Sequence, residues 1–197
     1  MTKDEVLARL RVLTRLERPV WLAGGVAVDF HVGRWTRDHH DIDLVTFEEH
    51  REGLDEELTH LGFERTHDRG WITNWTNAGR NPGEVSLAYE RRLDDTTGAL
   101  VMLASYDGVE PGIYPGFPDH LSLERFGTLD DVRFRLSSAE DEWAYATAFS
   151  VIRPGAPQRA TVRHNLDLLE TVIDDLDAVR AHAGLRLPLD NDQSTGH

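Results

Sequence analysis

Residues 21–45 read WLAGGVAVDFHVGRWTRDHHDIDLV, and they combine a glycine pair with two closely spaced aspartates. It predicts a short buried strand that ends at the glycine pair Gly24 and Gly25, and an apolar helix over residues 26–32. Glycine allows positive φ and close approach of the backbone, and the N-terminus of a helix presents N–H groups to an anion. A phosphate site at this turn is the hypothesis, and a tight turn without a ligand is the alternative.

The second half of the stretch predicts a polar loop over residues 34–40 and a strand that begins at Asp41. Side chains at i and i+2 of a strand point to the same face, so Asp41 and Asp43 are predicted to lie side by side. Carboxylate oxygens and substrate phosphates are ligands that Mg²⁺ prefers. The pair therefore predicts a site for a metal-bound phosphate.

Two histidines precede the carboxylates and leave a zinc site as an alternative. His39 and His40 stand directly before Asp41. A zinc site needs three or four ligands in a tetrahedral array, and the sequence offers no second ligand cluster at a matching spacing. We therefore favour magnesium at Asp41 and Asp43.

The string GGVAVDFHVGRWTRDHHDIDL, residues 24–44, resembles the signature of the aminoglycoside and lincosamide nucleotidyltransferases. This family belongs to the polymerase-β-type nucleotidyltransferase superfamily. The resemblance implies transfer of a nucleoside monophosphate from an NTP, with ATP as the favoured donor, to a hydroxyl of a small antibiotic-like acceptor. It also implies dependence on one or two Mg²⁺ ions.

The resemblance implies roles for individual residues of the stretch. It makes Asp41 and Asp43 catalytic residues and metal ligands. Contacts to the nucleotide are expected from Gly24, Gly25, Arg37 and His40, and arginine suits this role because its fork binds phosphate oxygens bidentately. Asp29 lies in an otherwise apolar helix face, where it touches substrate, braces the site or faces solvent.

A third carboxylate is expected in this family on a strand beside the Asp pair, and here the sequence departs from the pattern. Residues 85–87 fit the apolar–acid–apolar frame, but Ser86 stands where the acid is expected. Glu84 and Glu90 share the face of Ser86 and are the candidates for the general base that activates the acceptor hydroxyl. Glu84 is slightly preferred, and two solvated strand-end glutamates are the alternative.

A loop over residues 106–118 is rich in glycine, proline and aromatic residues. Such loops often form substrate walls, and Tyr106 and Asp107 are the candidates for contact with the acceptor. An ordered crossover loop without contact to substrate is the alternative.

The composition restricts the class of partner. The formal net charge of −14 argues against a protein that binds a phosphate backbone, and it suits a cationic small acceptor. No apolar run reaches the length of a membrane span, and no apolar signal stretch opens the chain. We expect a cytoplasmic protein without a nucleic-acid or membrane partner, and the sequence does not indicate an oligomeric state.

The predicted fold class is α/β (α+β), with a mixed sheet of about five strands flanked by helices and followed by C-terminal helices. The expected organisation is a nucleotidyltransferase core over residues 1–136, a helical segment over 137–187 and a flexible tail over 188–197. The sequence predicts a first helix that ends near Glu17 and one final helix from Arg159 to about His182.

Two other functions remain open at this point. A protein that binds nucleotide without turnover is favoured by Ser86, because serine neither takes a proton nor binds a metal as a carboxylate does. A protein-directed nucleotidyltransferase of the toxin–antitoxin type would label a protein in place of a small molecule.

Overall fold

The structure is a computed structural model of the chain. It describes residues 1–68, 72–77, 83–94, 98–103, 112–115, 117, 119–152 and 160–183. Tyr106 and Asp107 lie outside the described residues, as does the predicted tail. No described helix is long and apolar enough to cross a membrane.

Six α-helices and nine strands are described. The helices are α1 (Lys3–Leu13), α2 (Gly24–His31), α3 (Arg51–His60), α4 (Ala139–Ile152), α5 (Ala160–Leu169) and α6 (Leu176–Ala183). The strands are β1 (Trp21–Ala23), β2 (Asp41–Phe47), β3 (Phe63–Asp68), β4 (Ile72–Asn77), β5 (Glu84–Asp94), β6 (Gly98–Leu103), β7 (Gly112–Pro115), β8 (Phe126–Leu129) and β9 (Val132–Arg135).

The main sheet is mixed and carries the order β1-β2-β5-β4-β3. Strands β2 and β5 run parallel, and the other pairs along this path are antiparallel. Strands β6 and β7 extend the sheet from the second half of β5, and β8 and β9 form a separate hairpin. The predicted mixed sheet of about five strands is confirmed in its central path, and two more strands continue it.

Local sequence signals explain where the first helix lies. Thr2 caps α1, and Glu5 completes a capping box with the backbone N–H of Thr2. The apolar side chains that recur at helical spacing are all buried: Val6, Leu7, Leu10 and Leu13. The helix ends at Leu13, so the expected end near Glu17 is wrong by one turn.

The two faces of β2 have different neighbours, and this positions the site. Ile42 and Leu44 belong to the main core together with apolar residues of α1, α2 and α3. Asp41 and Asp43 point to the opposite face, as the period of a strand requires. The apolar face fixes the register of β2, since a slip of one residue would bury both carboxylates in the core.

The C-terminal helices pack against α2 through a second apolar cluster. Val28 of α2 meets Trp143 of α4, Leu166 and Leu169 of α5, and Val179 of α6. One long final helix was expected, but the chain forms α5 and α6 with a break after Leu169. The break lets Ile173 and Val179 both reach this cluster, where they are 8% and 2% exposed.

Candidate active site

The pairing of β2 with β5 places the predicted carboxylates on neighbouring strands. Asp41 lies opposite Glu84, and Asp43 lies opposite Ser86 in the parallel register. Since residues in register share a face, these four side chains form one polar row. The structure therefore places Glu84 beside the Asp pair, whereas Glu90 lies opposite Phe47 at the other end of β2.

The glycine turn lies directly against this row. Gly24 begins α2 with φ of +65°, a conformation that favours glycine. A Cβ at Gly24 would overlap the carboxylate of Asp43, and a Cβ at Gly25 would overlap the guanidinium of Arg37. Both positions therefore require glycine, because the side chains of Asp43 and Arg37 approach the backbone closely. The turn brings the N-terminus of α2 to the carboxylates.

One N–H of this turn is already occupied. The backbone N–H of Gly24 donates to Oε2 of Glu142 on α4 at 2.8 Å, and Ser137 donates a hydrogen bond to the other oxygen of the same carboxylate. In this conformation, the N–H of Gly24 is therefore not free to donate to a phosphate. A phosphate at the turn would meet other donors or displace Glu142.

Arg37 supplies a cation at the same place. Its Nη1 donates to the carbonyl of Asp38 at 3.0 Å, whereas its buried Nε has no hydrogen-bond partner. A buried donor without an acceptor is costly, and a bound anion would satisfy it. The charge of Arg37 also reaches Asp43, because it acts to lower the pKa of that carboxyl.

Asp29 braces the loop that leads to β2. It is fully buried, so the solvent-facing alternative is wrong. Its two carboxylate oxygens accept hydrogen bonds from Thr36 at 2.5 Å and pair with Nε2 of His39 at 2.9 Å. Both oxygens have partners within the protein, which agrees with the bracing alternative.

The two histidines of the loop lie in different surroundings. His39 is buried against Asp29, whereas His40 is exposed. Zinc bound by His39, His40 and Asp41 would need three converging ligand atoms, and these described residues do not form such a group. The zinc alternative at this position is wrong.

The acids on this face raise one another's pKa values. Removal from solvent, followed by the negative charges of Asp41 and Glu84, raises the pKa of Asp43 to about 8. Burial raises the pKa of Glu142 to about 8 in spite of its hydrogen bond from Ser137. If all of these carboxyl groups were ionised, their negative charge would exceed the positive charge that Arg37 supplies.

The negative charge and the donor atoms of this face determine whether a metal ion fits there. Asp41 and Asp43, with Glu84 opposite, provide oxygen donors on one face, which is the donor set that Mg²⁺ prefers. A divalent cation would favour the ionised form of Asp43 and reverse the upward shift of its pKa. The residues present fit a Mg²⁺ site at the Asp pair.

A cleft of about 150 Å³ runs along this face of the sheet. Its lining includes Gly24 and Asp43 at one end and Glu90 and Asp141 at the other, with Glu142 and Tyr145 of α4 as a wall. We call these two ends the Asp43 end and the Glu90 end. The polar side of β5 between them carries Ser86 and Ala88.

At the Glu90 end, a buried glutamate meets a histidine. Nε2 of His120 lies 2.7 Å from Oε2 of Glu90, and Nδ1 lies 2.9 Å from the carbonyl of Phe117. Burial raises the pKa of Glu90. Burial lowers the pKa of His120, but the hydrogen bond and charge of Glu90 outweigh it and raise this pKa to about 9.

Sequence reasoning missed His120, Asp141, Glu142 and Tyr145 as lining or neighbouring groups of the cleft. The acidic residues after Ser138 form the first turn of α4, and the hydroxyl of Ser138 accepts a hydrogen bond from the N–H of Asp141 at 3.0 Å. The same turn also faces the cleft. No local pattern indicates this second role, because it depends on how α4 packs.

Comparison with known proteins gives a family and a fold. A family model described as aminoglycoside-2''-adenylyltransferase matches residues 5–164. The solution structure of the antibiotic-resistance factor ANT(2'')-Ia superposes with a TM-score of 0.68 at 18% identity, over 92% of this chain and 91% of that chain. Comparison with curated proteins gives no significant match.

Two crystal structures show the same fold. ANT(2'')-Ia in complex with adenylyl-2''-tobramycin superposes with a TM-score of 0.66 at 20% identity, over 92% of this chain and 95% of that chain. The lincomycin-bound lincosamide antibiotic adenylyltransferase LnuA gives 0.60 at 19% identity, over 88% of this chain and 99% of that chain. The predicted nucleotidyltransferase fold is confirmed.

Proposed function

Because the chain belongs to the aminoglycoside-2''-adenylyltransferase family, we propose that it transfers a nucleoside monophosphate from an NTP to a hydroxyl of an aminoglycoside-type or lincosamide-type antibiotic. ATP is the favoured donor, and the cytoplasm, where NTPs are abundant, is the favoured location. The observation that carries the proposal is the position of Asp41 and Asp43 against the Gly24–Gly25 turn.

The Asp43 end of the cleft would hold the triphosphate. Asp41 and Asp43 would bind Mg²⁺, which supplies charge neutralisation at the phosphates when it is bound. The unpartnered Nε of Arg37 and the N-terminus of α2 support a phosphate position beside Gly25. Nucleotidyl transfer depends mainly on positioning and electrostatic stabilisation, which these groups supply.

Glu84 is the better candidate for the general base. It lies opposite Asp41, and its charge contributes to the raised pKa of Asp43, so it is close to the carboxylates that would hold the metal. Glu90 lies six residues further along β5, and its carboxylate contacts His120. Glu84 would accept the proton of the acceptor hydroxyl as that oxygen attacks the α-phosphorus and pyrophosphate leaves.

The charge of the cleft favours a cationic acceptor. Glu90, Asp141 and Glu142 bring carboxyl groups to the walls beyond Ser86. Amino groups of an aminoglycoside would pair with such groups, and the net charge of −14 would assist capture. Contacts from Tyr106 and Asp107 remain predictions, because both lie outside the described residues.

The test is a product assay with purified protein. A panel of aminoglycosides and lincosamides is incubated with each NTP and Mg²⁺, and mass spectrometry detects an acceptor whose mass has increased by one nucleoside monophosphate. The same assay follows pyrophosphate. We expect product with at least one antibiotic, dependence on Mg²⁺, and no product from the Asp41→Asn/Asp43→Asn variant. Full product formation by this variant would contradict the proposal.

A second candidate is a protein that binds nucleotide without turnover. Ser86 favours it, because no carboxylate lies opposite Asp43 in the register. Calorimetry with Mg-ATP separates the two candidates. Binding without pyrophosphate release in the presence of every acceptor would favour the second candidate over transfer.

A further inference from the structure

The Glu90 end of the cleft groups three ligand side chains around one point. Glu90 of β5, His120 and Asp141 of α4 each offer one ligand atom, and these atoms lie within 4.8 Å of one another. The residues are only 4%, 3% and 6% exposed. Among the described residues, no other three His, Asp or Glu side chains bring their ligand atoms this close together.

The backbone around the cluster fixes the orientation of its side chains. Nδ1 of His120 lies 2.9 Å from the carbonyl of Phe117, so this nitrogen carries the hydrogen and Nε2 faces the cluster. The N–H of the same Phe117 donates to Oδ1 of Asp141 at 3.2 Å. Metal-binding histidines typically donate their second N–H to a carbonyl or carboxylate in this way.

From this geometry we propose that Glu90, His120 and Asp141 bind a divalent transition-metal ion of the zinc class. One imidazole nitrogen and two carboxylate oxygens form a mixed donor set, which suits Zn²⁺ better than Mg²⁺. Three protein ligands leave a fourth position for water or for a lone-pair atom of an acceptor. Glu90 and Asp141 line the cleft, so that position is reached from it.

The charges of the cluster agree with a bound cation. Two carboxylates and one imidazolium leave a net charge of −1 in a buried position, whereas two carboxylates, a neutral imidazole and a divalent ion sum to zero. Binding would release the proton from Nε2 of His120. Unpaired charge in the interior is costly, so the neutral arrangement is favoured when the ion is present.

This site is distinct from the Mg²⁺ position at Asp41 and Asp43. Ser86 lies opposite Asp43, and Glu90 is four residues further along β5, which is about 13 Å at the rise of a strand. The proposal therefore does not depend on the Mg²⁺ site, and its failure leaves the transfer proposal intact. With the ion bound, Glu90 and Asp141 would hold the metal in place of the amino groups of an acceptor.

The test uses untagged, metal-free protein and Co²⁺ as a spectroscopic substitute for Zn²⁺. Co²⁺ is titrated into the wild type and into the Asp41→Asn/Asp43→Asn variant, which lacks the ligands of the other end. We expect visible ligand-field absorption that saturates at one equivalent in the variant. Zn²⁺ should abolish this signal by competition, whereas excess Mg²⁺ should leave it in place.

Ligand variants are made in the same double-variant background. Glu90→Gln, His120→Asn and Asp141→Asn should each weaken Co²⁺ binding by at least about tenfold. His60→Asn and Asp174→Asn are matched controls, because both side chains are exposed, and they should leave affinity unchanged. Circular dichroism and the Tm of the metal-free proteins show which variants are folded, and Glu90→Gln conserves shape best.

Several results would overturn the proposal. Saturating Co²⁺ binding that disappears in the Asp41→Asn/Asp43→Asn variant would assign the ion to the Asp pair. No Co²⁺ absorption in either protein would show that His120 and the two carboxylates form an ion pair only. Unchanged affinity in a folded Glu90→Gln or Asp141→Asn variant would place the ion elsewhere.

Discussion

The two ends of the cleft lie on the same face of the sheet but balance their charges differently. At the Asp43 end, Asp41, Asp43 and Glu84 lie together, and Arg37 is the cation that acts on Asp43. At the Glu90 end, an internal cation, His120, contacts the carboxylate directly. The first end therefore needs a cation from solution to ionise fully, whereas at the second end the proton on His120 compensates one of the two carboxylates.

The largest effect that this comparison predicts is the decrease in activity when Asp43 is replaced. Asp43→Ala should leave the fold intact and lower kcat/KM for transfer on the order of a thousandfold, because metal-ion stabilisation is worth several kcal/mol and each 1.4 kcal/mol is about tenfold. Steady-state kinetics with an acceptor found in the product assay measure this change.

Asp174→Ala is the control for Asp43→Ala. Asp174 is an exposed aspartate between α5 and α6. Its removal changes the net charge of the chain equally and should leave kcat/KM unchanged. Equal kcat/KM values of Asp43→Ala and Asp174→Ala would show that Asp43 does not take part in catalysis.

The same contrast explains what the sequence could and could not predict. The Asp43 end is built mostly from one contiguous stretch, in which the spacing of Asp41 and Asp43 and the adjacent glycines fixes their geometry locally. The Glu90 end joins β5, a turn near His120 and the first turn of α4. Such distant residues meet only through tertiary packing, so no spacing rule could find them.

The choice of general base between Glu84 and Glu90 shows how far the sequence can predict positions within one strand. Alternation placed both on the face of Ser86, and the structure agrees. Which of them lies beside Asp41 depends on the parallel register of β2 and β5, which the sequence does not encode locally. The break between α5 and α6 was also missed, because apolar side chains continue at helical spacing across it.

The second prediction compares Glu84 with Glu90, because the register of β2 and β5 places only Glu84 beside Asp41. Glu84→Gln should lower kcat by about a hundredfold with little change in KM for the NTP, because general-base catalysis contributes at least that much. Glu90→Gln should lower kcat by less than about fivefold, because Glu90 lies six residues, or about 20 Å, further along the strand.

The reverse order of these two effects would move the base to the Glu90 end. Equal, small effects would point to a reaction without a carboxylate base. Tm measurements on both variants show that neither effect arises from unfolding.

The third prediction concerns the cation at the Asp43 end. Arg37→Lys keeps the charge but loses the fork, so KM for the NTP should rise by about tenfold, the loss of one good charged hydrogen bond. Arg37→Leu should raise it further. Arg34→Lys is the matched control, since Arg34 is exposed in the same loop. An unchanged KM for the NTP in Arg37→Leu would show that this side chain does not contact the phosphates.

The smallest effect is the pH dependence of stability in the absence of metal. The pKa of Asp43 is raised from 3.8 to about 8, so the folded state holds a proton that the unfolded state releases. This contribution is complete below about pH 4 and is lost as the pH rises towards 8. The Tm of the metal-free wild type should therefore fall over this range more steeply than that of Asp43→Asn.

Mg²⁺ should act in the opposite direction, because it binds the carboxylate that is ionised at high pH. The increase in Tm caused by Mg²⁺ should be small near pH 5 and should grow towards pH 8 in the wild type, and it should be nearly absent in Asp43→Asn. The difference between the two proteins isolates Asp43 from Glu142, whose pKa is also raised to about 8 and which both retain. Parallel Tm curves with and without Mg²⁺ would mean that Asp43 is not the group whose ionisation the metal requires.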